Sequence, residues 1–364
     1  MGDAVKAWGT YINAKGGING HPVTFDIQDS KGDAAASQSI LDAQVAKNPV
    51  AMVLETTSTE ATIAASLGAL KMPVIGFGYT PAVWGGYIEG FKLKCSTDPK
   101  APVACALPNA FTITTTFGAV VDEQVLGAQA AGAKKLATAA CAEVAACSQA
   151  GPVFSATAKT LGLEDTGTIK VDSNKGDYSA ECIQWVQQKV DFIQISGSGT
   201  MGANIFKSCA EQGYKGIYGA SAGSVAGDLI KVKGITLAGG LNAFPWWVDD
   251  PAVAEYRDAM KAGGLTEDDI ASSALTGMWS SLQLFAKANA KLGDTPTATE
   301  TLKNMFTVKD ETLGGLIAPV TFTEGQLAKS RDCFWPYILK DGKFTNPLGG
   351  LKFQCYPDGS TAGH

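Results

Sequence analysis

The sequence predicts an α/β fold of two lobes, each built around a parallel sheet. Periodic apolar stretches alternate with short β-rich runs over residues 6–117, an order that is typical of parallel sheets. The same alternation starts again after residue 117. No low-complexity linker separates the two halves, so we expect the chain to pass back and forth between the lobes.

The first half predicts three strands separated by helices. A helix that begins near residue 6 closes at a Gly-Gly turn, and the strands after it are PVTFDI, VAMVLE and MPVIGF. The last two strands run into hydroxyl residues that open the next helix, Ser58 and Thr59 in one case and Thr80 in the other. Open α/β sheets bind ligands at the carboxyl ends of their strands, where helix N-termini also lie, so we expect the ligand site at this edge.

The second half predicts the strands KKLATAA, GTIKV, VDFIQIS and KGIYGAS, with helices between them. Beyond residue 235 the pattern loosens, and the glycine-containing run LAGGLNAFPWWVDDP predicts no regular element. A helix from Pro251, a long amphipathic helix from residue 272 and a short helix follow. The remaining β-rich segments are PVTFTEG and CFWPYILKDGKF.

Composition excludes several classes of protein. The 364 residues are 45% hydrophobic and 18% charged, which is typical of globular chains and provides enough core for two domains. The 29 Lys and Arg against 35 Asp and Glu give a net charge of -6 with no basic run longer than a pair, so we do not expect a nucleic-acid partner. The sequence has no apolar stretch of roughly 18 residues, as a membrane helix needs, and no signal peptide at its start.

The eight cysteines predict disulfides. No CxxC pair occurs and only two histidines are present, so neither a metal site nor a thiol redox motif is expected. An even count with local pairs is typical of an oxidising compartment, and reduced, buried thiols in the cytosol are the alternative. Eight cysteines allow about a hundred pairings. We prefer the set Cys95 with Cys105, Cys141 with Cys147, Cys182 with Cys209, and Cys333 with Cys355.

The turn GSGTMG places Gly197, Gly199 and Gly202 in the spacing of a dinucleotide fingerprint. That fingerprint requires an acidic residue roughly 20 positions further on, whereas the next strand ends in Gly-Ala-Ser. We therefore expect no nucleotide cofactor. Catalysis is not expected either, because the chain has no GxSxG elbow and no candidate nucleophile with a base beside it.

Four stretches carry a resemblance to a known family: YINAKGGINGHPVTFDIQDSKGD, GDYSAECIQWVQQKVDFIQISGSG, TGMWSSLQLFAKANAKLG and LGGLIAPVTFTEG. They are similar to the type I periplasmic solute-binding proteins, in the branch of the leucine/isoleucine/valine receptors of ABC transporters. The resemblance covers almost the whole chain. It implies two Rossmann-like lobes joined by a three-crossing hinge, which close on a small ligand and deliver it to a membrane permease. Lobe one would comprise residues 1–117 with 245–323, and lobe two residues 118–244 with 324–364.

The sequence departs from the family at its start. Family members open with a strand before the first helix, usually behind an export signal, whereas this sequence begins inside that helix. A lobe without that strand would hold unpaired backbone groups, which are costly when buried. We therefore expect the natural start to lie further upstream. We also expect an exported monomer, periplasmic or at the cell surface, with or without a lipid anchor.

The resemblance assigns the ligand carboxylate to the hydroxyl and backbone N–H groups of Ser58 and Thr59, at a helix N-terminus. Thr57 and Glu60 also match a capping box, so helix capping alone is the alternative.

A second ligand loop aligns with Gly78, Tyr79 and Thr80, where the Gly78 carbonyl and the Thr80 hydroxyl would contact the ligand. Thr80 precedes Pro81, a favoured first helical residue, so capping is again the alternative.

By the resemblance, Ser198 in the glycine turn of lobe two would face the cleft and is a candidate ligand contact. Residues 143–146, which include Glu143 and Ala145, align with a segment that reaches the ligand. A solvated carboxylate is the alternative for Glu143.

Glu55 and the adjacent pair Trp246 and Trp247 are further candidates to which the resemblance assigns no role. Glu55 ends the strand VAMVLE where relatives usually have Gly, and a strand end that faces the cleft would partly desolvate its carboxylate. Trp246 and Trp247 would provide an apolar wall, or simply fill the core.

Ser221 decides the predicted ligand class. By the resemblance it aligns with the acidic residue that holds the ammonium group in receptors for α-amino acids. A serine supplies no counter-charge for a desolvated ammonium. The sequence therefore predicts a carboxylate or amide ligand with an apolar or aromatic body and no α-ammonium group. A branched-chain amino acid receptor and a cytosolic ligand-sensing regulator on the same fold are the alternatives.

Overall fold

The computed structural model describes residues 1–55, 59–76, 81–84, 107–113, 117–143, 145–220, 225–325 and 333–355. Its strands form two separate sheets, one of three strands and one of eight, so the described chain has two α/β lobes.

The smaller sheet is parallel throughout, in the order β1-β2-β3. Its strands are Met52–Leu54 (β1), Val74–Gly76 (β2) and Ala110–Thr112 (β3). Leu54, Gly76 and Thr112 are paired across the sheet, so the three strands end level with one another. The carboxyl ends of the three strands therefore lie at one edge.

Helices from both ends of the sequence surround this small sheet. The early helices are Gly2–Ala14 (α1), Ala34–Val45 (α2), Glu60–Gly68 (α3) and Pro81–Trp84 (α4). The late ones are Pro251–Ala262 (α10), Glu267–Ile270 (α11), Ser273–Ala288 (α12) and Ala298–Met305 (α13). Helix α12 packs on β2 and on α1, and the Ser281 hydroxyl donates to the Gly76 carbonyl at 3.1 Å. Residues 251–305 thus complete the lobe that the first half begins.

The larger sheet has the order β10-β9-β8-β7-β6-β4-β5, with β11 paired to β9. Strands β4 to β8 are parallel, and β9 to β11 run antiparallel to their neighbours. The strands are Lys135–Cys141 (β4), Glu164–Val171 (β5), Phe192–Ser196 (β6), Ile217–Ala220 (β7), Thr236–Leu241 (β8), Cys333–Lys340 (β9), Lys343–Thr345 (β10) and Gln354–Cys355 (β11).

The helices of this lobe are Phe117–Ala130 (α5), Ala145–Thr160 (α6), Ser179–Gln187 (α7), Gly199–Glu211 (α8) and Asp228–Lys231 (α9). The chain passes between the lobes after β3, after β8 and before β9, which are three crossings. The residue bounds of the lobes given above stay a prediction.

The expectation that the α/β pattern loosens beyond residue 235 is wrong for Thr236–Leu241, which forms strand β8. Its glycines, which weaken the strand signal, are required by close packing. A Cβ on Gly240 would lie 2.7 Å from the Phe334 ring and 2.8 Å from Cβ of Glu123, and one on Gly127 of α5 would overlap the backbone of Gly239. Helix α5 therefore lies directly on this strand, which is central in the sheet.

The predicted strand PVTFDI is wrong, because residues 22–30 run without a strand partner among the described residues. Side chains of helices α1 and α2 form hydrogen bonds with the backbone of this segment instead. Asn13 donates from Nδ2 to the Val23 carbonyl at 2.8 Å and accepts from the Val23 N–H at 2.7 Å, while Gln44 donates to the Asp26 carbonyl. The segment PVTFTEG is not a strand either, and forms only an isolated bridge between Glu311 and Val320.

Three of the preferred cysteine pairs are disulfides in the structure: Cys141 with Cys147, Cys182 with Cys209, and Cys333 with Cys355. The second joins α7 to α8, the helices on either side of β6 in the sequence. The pair Cys95 with Cys105 falls outside the described residues.

Within the described ranges, every helix is too short or too polar to cross a bilayer.

Candidate functional site

The level carboxyl ends of β1, β2 and β3 form the candidate binding edge of the smaller lobe. Glu55 comes directly after β1, and Thr59 and Glu60 open α3 immediately afterwards. Helix α4 begins at Pro81, after β2. The sequence prediction that two helix starts gather at this edge is confirmed.

Six of the predicted site residues fall outside the described residues: Thr57, Ser58, Gly78, Tyr79, Thr80 and Ser221. Their assigned roles stay predictions.

Thr59 is buried and links two helices. It precedes α3, and its Oγ1 accepts a hydrogen bond at 2.9 Å from the hydroxyl of Ser37 on α2. Its side chain makes no capping bond to α3. This bond holds the two helices together and uses the hydroxyl only as an acceptor, so the ligand contact assigned to Thr59 stays a prediction.

Glu60 is fully buried in the first turn of α3. Its Oε2 accepts a hydrogen bond at 3.0 Å from the indole Nε1 of Trp84, which is also buried. This bond joins α3 to α4 beneath the candidate edge. Sequence reasoning treated Glu60 only as part of a cap, and no local pattern pairs it with a tryptophan 24 residues away.

Glu55 is the unusual group of the edge. The residue as a whole keeps some exposure, but solvent does not reach its two carboxylate oxygens, and neither has a hydrogen-bond partner among the described residues. Burial, and second the negative charge of Glu60, raise the pKa of Glu55 well above its ordinary value of 4.5. The Met1 amino group acts weakly in the opposite direction. Burial therefore favours the protonated form of Glu55 over its carboxylate.

The larger lobe places its own candidates after β4, β5 and β6. Glu143 is exposed and accepts a hydrogen bond from the backbone N–H of Ser173 at 3.0 Å. Asp172 lies beside it, and the N–H of Asn174 followed by the hydrogen bond with Glu143 lower the pKa of Asp172. Glu143 thus bridges the ends of β4 and β5, and this position is solvated. Ala145 begins α6, next to the Cys141–Cys147 disulfide.

Ser198 caps helix α8. Its Oγ accepts a hydrogen bond from the N–H of Met201 at 3.2 Å, and the residue is exposed. Two glycines of the turn around it are closely packed, since a Cβ on Gly197 would lie 2.7 Å from the Met201 sulfur and one on Gly202 would lie 2.8 Å from Leu229. Gly197 and Gly202 therefore serve close side-chain packing.

Trp246 is buried in an aromatic cluster with Trp247 and Phe344. Trp247 stacks on Phe344 with ring centroids 4.4 Å apart, and the Trp246 carbonyl accepts a hydrogen bond from Arg257 at 2.7 Å. The cluster lies where the chain leaves β8, against strand β10. This surrounding favours the core-filling alternative for both tryptophans, and their contact with a ligand stays a prediction.

The described chain is thus a pair of α/β lobes with three crossings and a candidate binding edge at strand ends. The sequence matches the family described as periplasmic binding protein over residues 1–341, so the chain belongs to this family. The predicted fold class, two lobes with parallel sheets of the type I periplasmic binding proteins, is confirmed. A comparison with curated proteins gave no match.

Solved structures of the same fold include proteins with different ligands. A leucine-binding protein from Thermotoga maritima is 15% identical, over 98% of this chain and 94% of that one, with a TM-score of 0.71. A fatty acid ABC transporter substrate-binding protein from Thermomonospora curvata is 16% identical over 97% and 87%, with a TM-score of 0.71. An ABC transporter solute-binding protein from R. palustris in complex with benzoate is 15% identical over 98% and 92%, with a TM-score of 0.68. Likeness at this identity establishes the fold alone.

Proposed function

We propose that this protein is the extracytoplasmic substrate-binding component of an ABC importer. The observation that carries the proposal is the family match over nearly the whole chain, combined with two lobes whose strand ends carry polar residues and helix starts. Ligand contacts from both lobes would exist only in a closed state, so ligand would shift the population toward that state. Permease subunits in the membrane would then recognise the closed form of a monomer.

The location rests on the cysteines. Three disulfides in one chain are typical of proteins that fold in an oxidising compartment. They favour export over the alternative of a cytosolic ligand-sensing regulator, whose thiols would be kept reduced. The proposal therefore places the protein in the periplasm or at the cell surface, with or without a lipid anchor.

The ligand we propose is a small carboxylate or amide with an apolar or aromatic body. Helix starts at the edge of the smaller lobe suit an oxyanion or carbonyl oxygen. Ser221 supplies no counter-charge for an α-ammonium group. A branched-chain amino acid is the competing ligand class.

Thermal-shift screening tests the function. The panel comprises benzoate, octanoate, benzamide, leucine and valine, each in large excess. A ligand at 100 times its dissociation constant stabilises the native state by about 2.7 kcal/mol, which is readily measured. Stabilisation by at least one acid or amide supports the proposal. Stabilisation by leucine or valine alone would keep the transport role and overturn the ligand class, and no response to any solute would count against the function itself.

A further inference from the structure

Glu55 is a buried acid without a partner at the carboxyl edge of the smaller sheet. No described residue donates a hydrogen bond to either of its oxygens. Its buried neighbour Glu60, in contrast, is bonded to the Trp84 indole. A buried polar group without its hydrogen bond is destabilising. A buried, unpartnered acid at an edge where α/β sheets bind ligands is a candidate for contact with the ligand itself.

Two charged groups act on this carboxyl. One is the carboxylate of Glu60, at the start of α3, and the other is the amino group of Met1, at the start of α1. Burial is the larger influence, and with Glu60 it outweighs the amino group, so the pKa of Glu55 lies well above 4.5. Burial and the charge of Glu60 thus both favour the neutral acid over the carboxylate.

We propose that Glu55 contacts the ligand as a neutral carboxylic acid, donating its O–H to an oxygen of the ligand's carboxylate or amide and selecting against ligands that place an amine there. The proposal rests on the proposed function, since it names one contact within the same site. It adds a specificity-determining residue and the chemistry that this residue accepts.

A neutral carboxylic acid offers one donor and one acceptor. A ligand carboxylate gains a charge-assisted O–H···O bond from it, which is among the stronger hydrogen bonds in proteins. A ligand amide uses both functions, because its carbonyl accepts and its N–H donates. An ammonium group, which only donates, would require Glu55 to ionise against burial and against the charge of Glu60.

Contact requires an oxygen of Glu55 to become accessible, since both are buried, and glutamate has three side-chain torsions through which it can move. Water does not reach the carboxyl oxygens beforehand, so a bond to the ligand replaces no hydration of that group.

The test compares Glu55→Gln with Glu55→Ala by isothermal titration with benzoate, octanoate, benzamide and leucine. Glutamine keeps one donor and one acceptor without a charge, so affinity for the acid or amide that binds should stay within about threefold of wild type. Alanine removes the contact and should weaken binding about tenfold or more. Glu211→Gln, at an exposed position of α8, is the matched control and should change nothing. Circular dichroism confirms that each variant is folded.

An infrared measurement without ligand determines the protonation state of Glu55. The infrared difference spectrum of wild type minus Glu55→Gln at pH 7 should show the C=O stretch of a protonated carboxyl. A carboxylate band there, an equal loss of affinity in both Glu55 variants, or no loss in Glu55→Ala would each overturn the proposal. Binding of leucine without any binding of the acids and amide would overturn it too, whereas the transport role fails only if none of the solutes binds.

Discussion

The side-chain amide of Asn242 donates to both carboxylate oxygens of Glu123, at 2.9 and 3.1 Å. Both residues are buried. Glu123 lies on α5, just after the chain first enters the larger lobe, and Asn242 directly follows β8, where the chain leaves it again. Burial, and second the charge of Glu123, raise the pKa of the Tyr337 phenol on β9. This carboxylate thus bonds the helix after the first crossing to the end of β8 before the second, and its charge acts on β9.

The first prediction concerns this carboxylate. Glu123→Ala should destabilise the protein by about 1–3 kcal/mol, because it removes this acceptor from the buried amide of Asn242. Glu123→Gln keeps one acceptor oxygen and should cost clearly less. Urea unfolding followed by circular dichroism measures both. Equal stability of wild type and Glu123→Ala would show that the bond contributes nothing.

The second prediction concerns the contact of α5 with β8. Gly127→Ala should destabilise by about 1–3 kcal/mol, since the added methyl overlaps the backbone of Gly239. Gly176→Ala is the matched control, because a Cβ there has nothing within 4 Å. Thermal unfolding of the two variants should therefore differ. A stable Gly127→Ala variant would mean that helix and strand can separate without cost.

The same contact explains where the sequence misled. Apolar periodicity predicted most of the helices, and short runs of strand-forming residues predicted most of the parallel strands. It did not predict β8, because Gly239 and Gly240 are selected by the closeness of α5 and Phe334, which only the tertiary structure contains. It also predicted a strand at PVTFDI that does not form. A strand requires a neighbouring strand, whereas the side chain of Asn13 makes hydrogen bonds to this segment instead.

The third prediction concerns the bond between Glu60 and Trp84. Trp84→Phe removes the indole N–H and leaves a buried carboxylate oxygen without this donor. The loss should be about 1–3 kcal/mol, in part from the smaller side chain. Trp84→Phe combined with Glu60→Gln should cost less than the two single losses added together. A double-mutant cycle in urea measures this coupling, and strict additivity would contradict the bond.

The fourth prediction follows from the raised pKa of Glu55. The native state holds this proton more tightly than the unfolded chain, so the stability that it contributes is complete below about pH 4.5 and is lost as the pH rises through the native pKa. Glu55→Gln does not titrate. Its free energy of unfolding relative to wild type should therefore increase with pH above 4.5, by at most about 1.4 kcal/mol per pH unit. A difference that is flat or falls between pH 4.5 and 8 would contradict the burial of Glu55 as an acid.

The fifth prediction concerns the disulfide between α7 and α8. It closes a loop with a sequence separation of 27, so replacing Cys182 and Cys209 together by Ala should cost about 2–4 kcal/mol. Mass spectrometry of the native wild type under alkylation should show neither cysteine labelled. Labelling of both without reductant would contradict the bond.

The candidate site was only partly predictable. The sequence predicted a candidate binding edge, because hydroxyl residues that open helices directly follow β-rich runs. It predicted that the Glu55 carboxylate would be partly desolvated, but not that the charge of Glu60 would add to the effect of burial. It left open whether Trp246 lines the cleft or fills the core, because its partner Phe344 comes from a distant segment of the chain.

The most direct test of the account is native mass spectrometry after incubation with an equimolar mixture of benzoate, octanoate, benzamide, leucine and valine. Every solute competes for the same molecule, and the retained mass identifies the ligand class. The account predicts a one-to-one complex with an acid or the amide, and weaker retention in Glu55→Ala. A complex with leucine or valine, or no complex with any of the five, would contradict it.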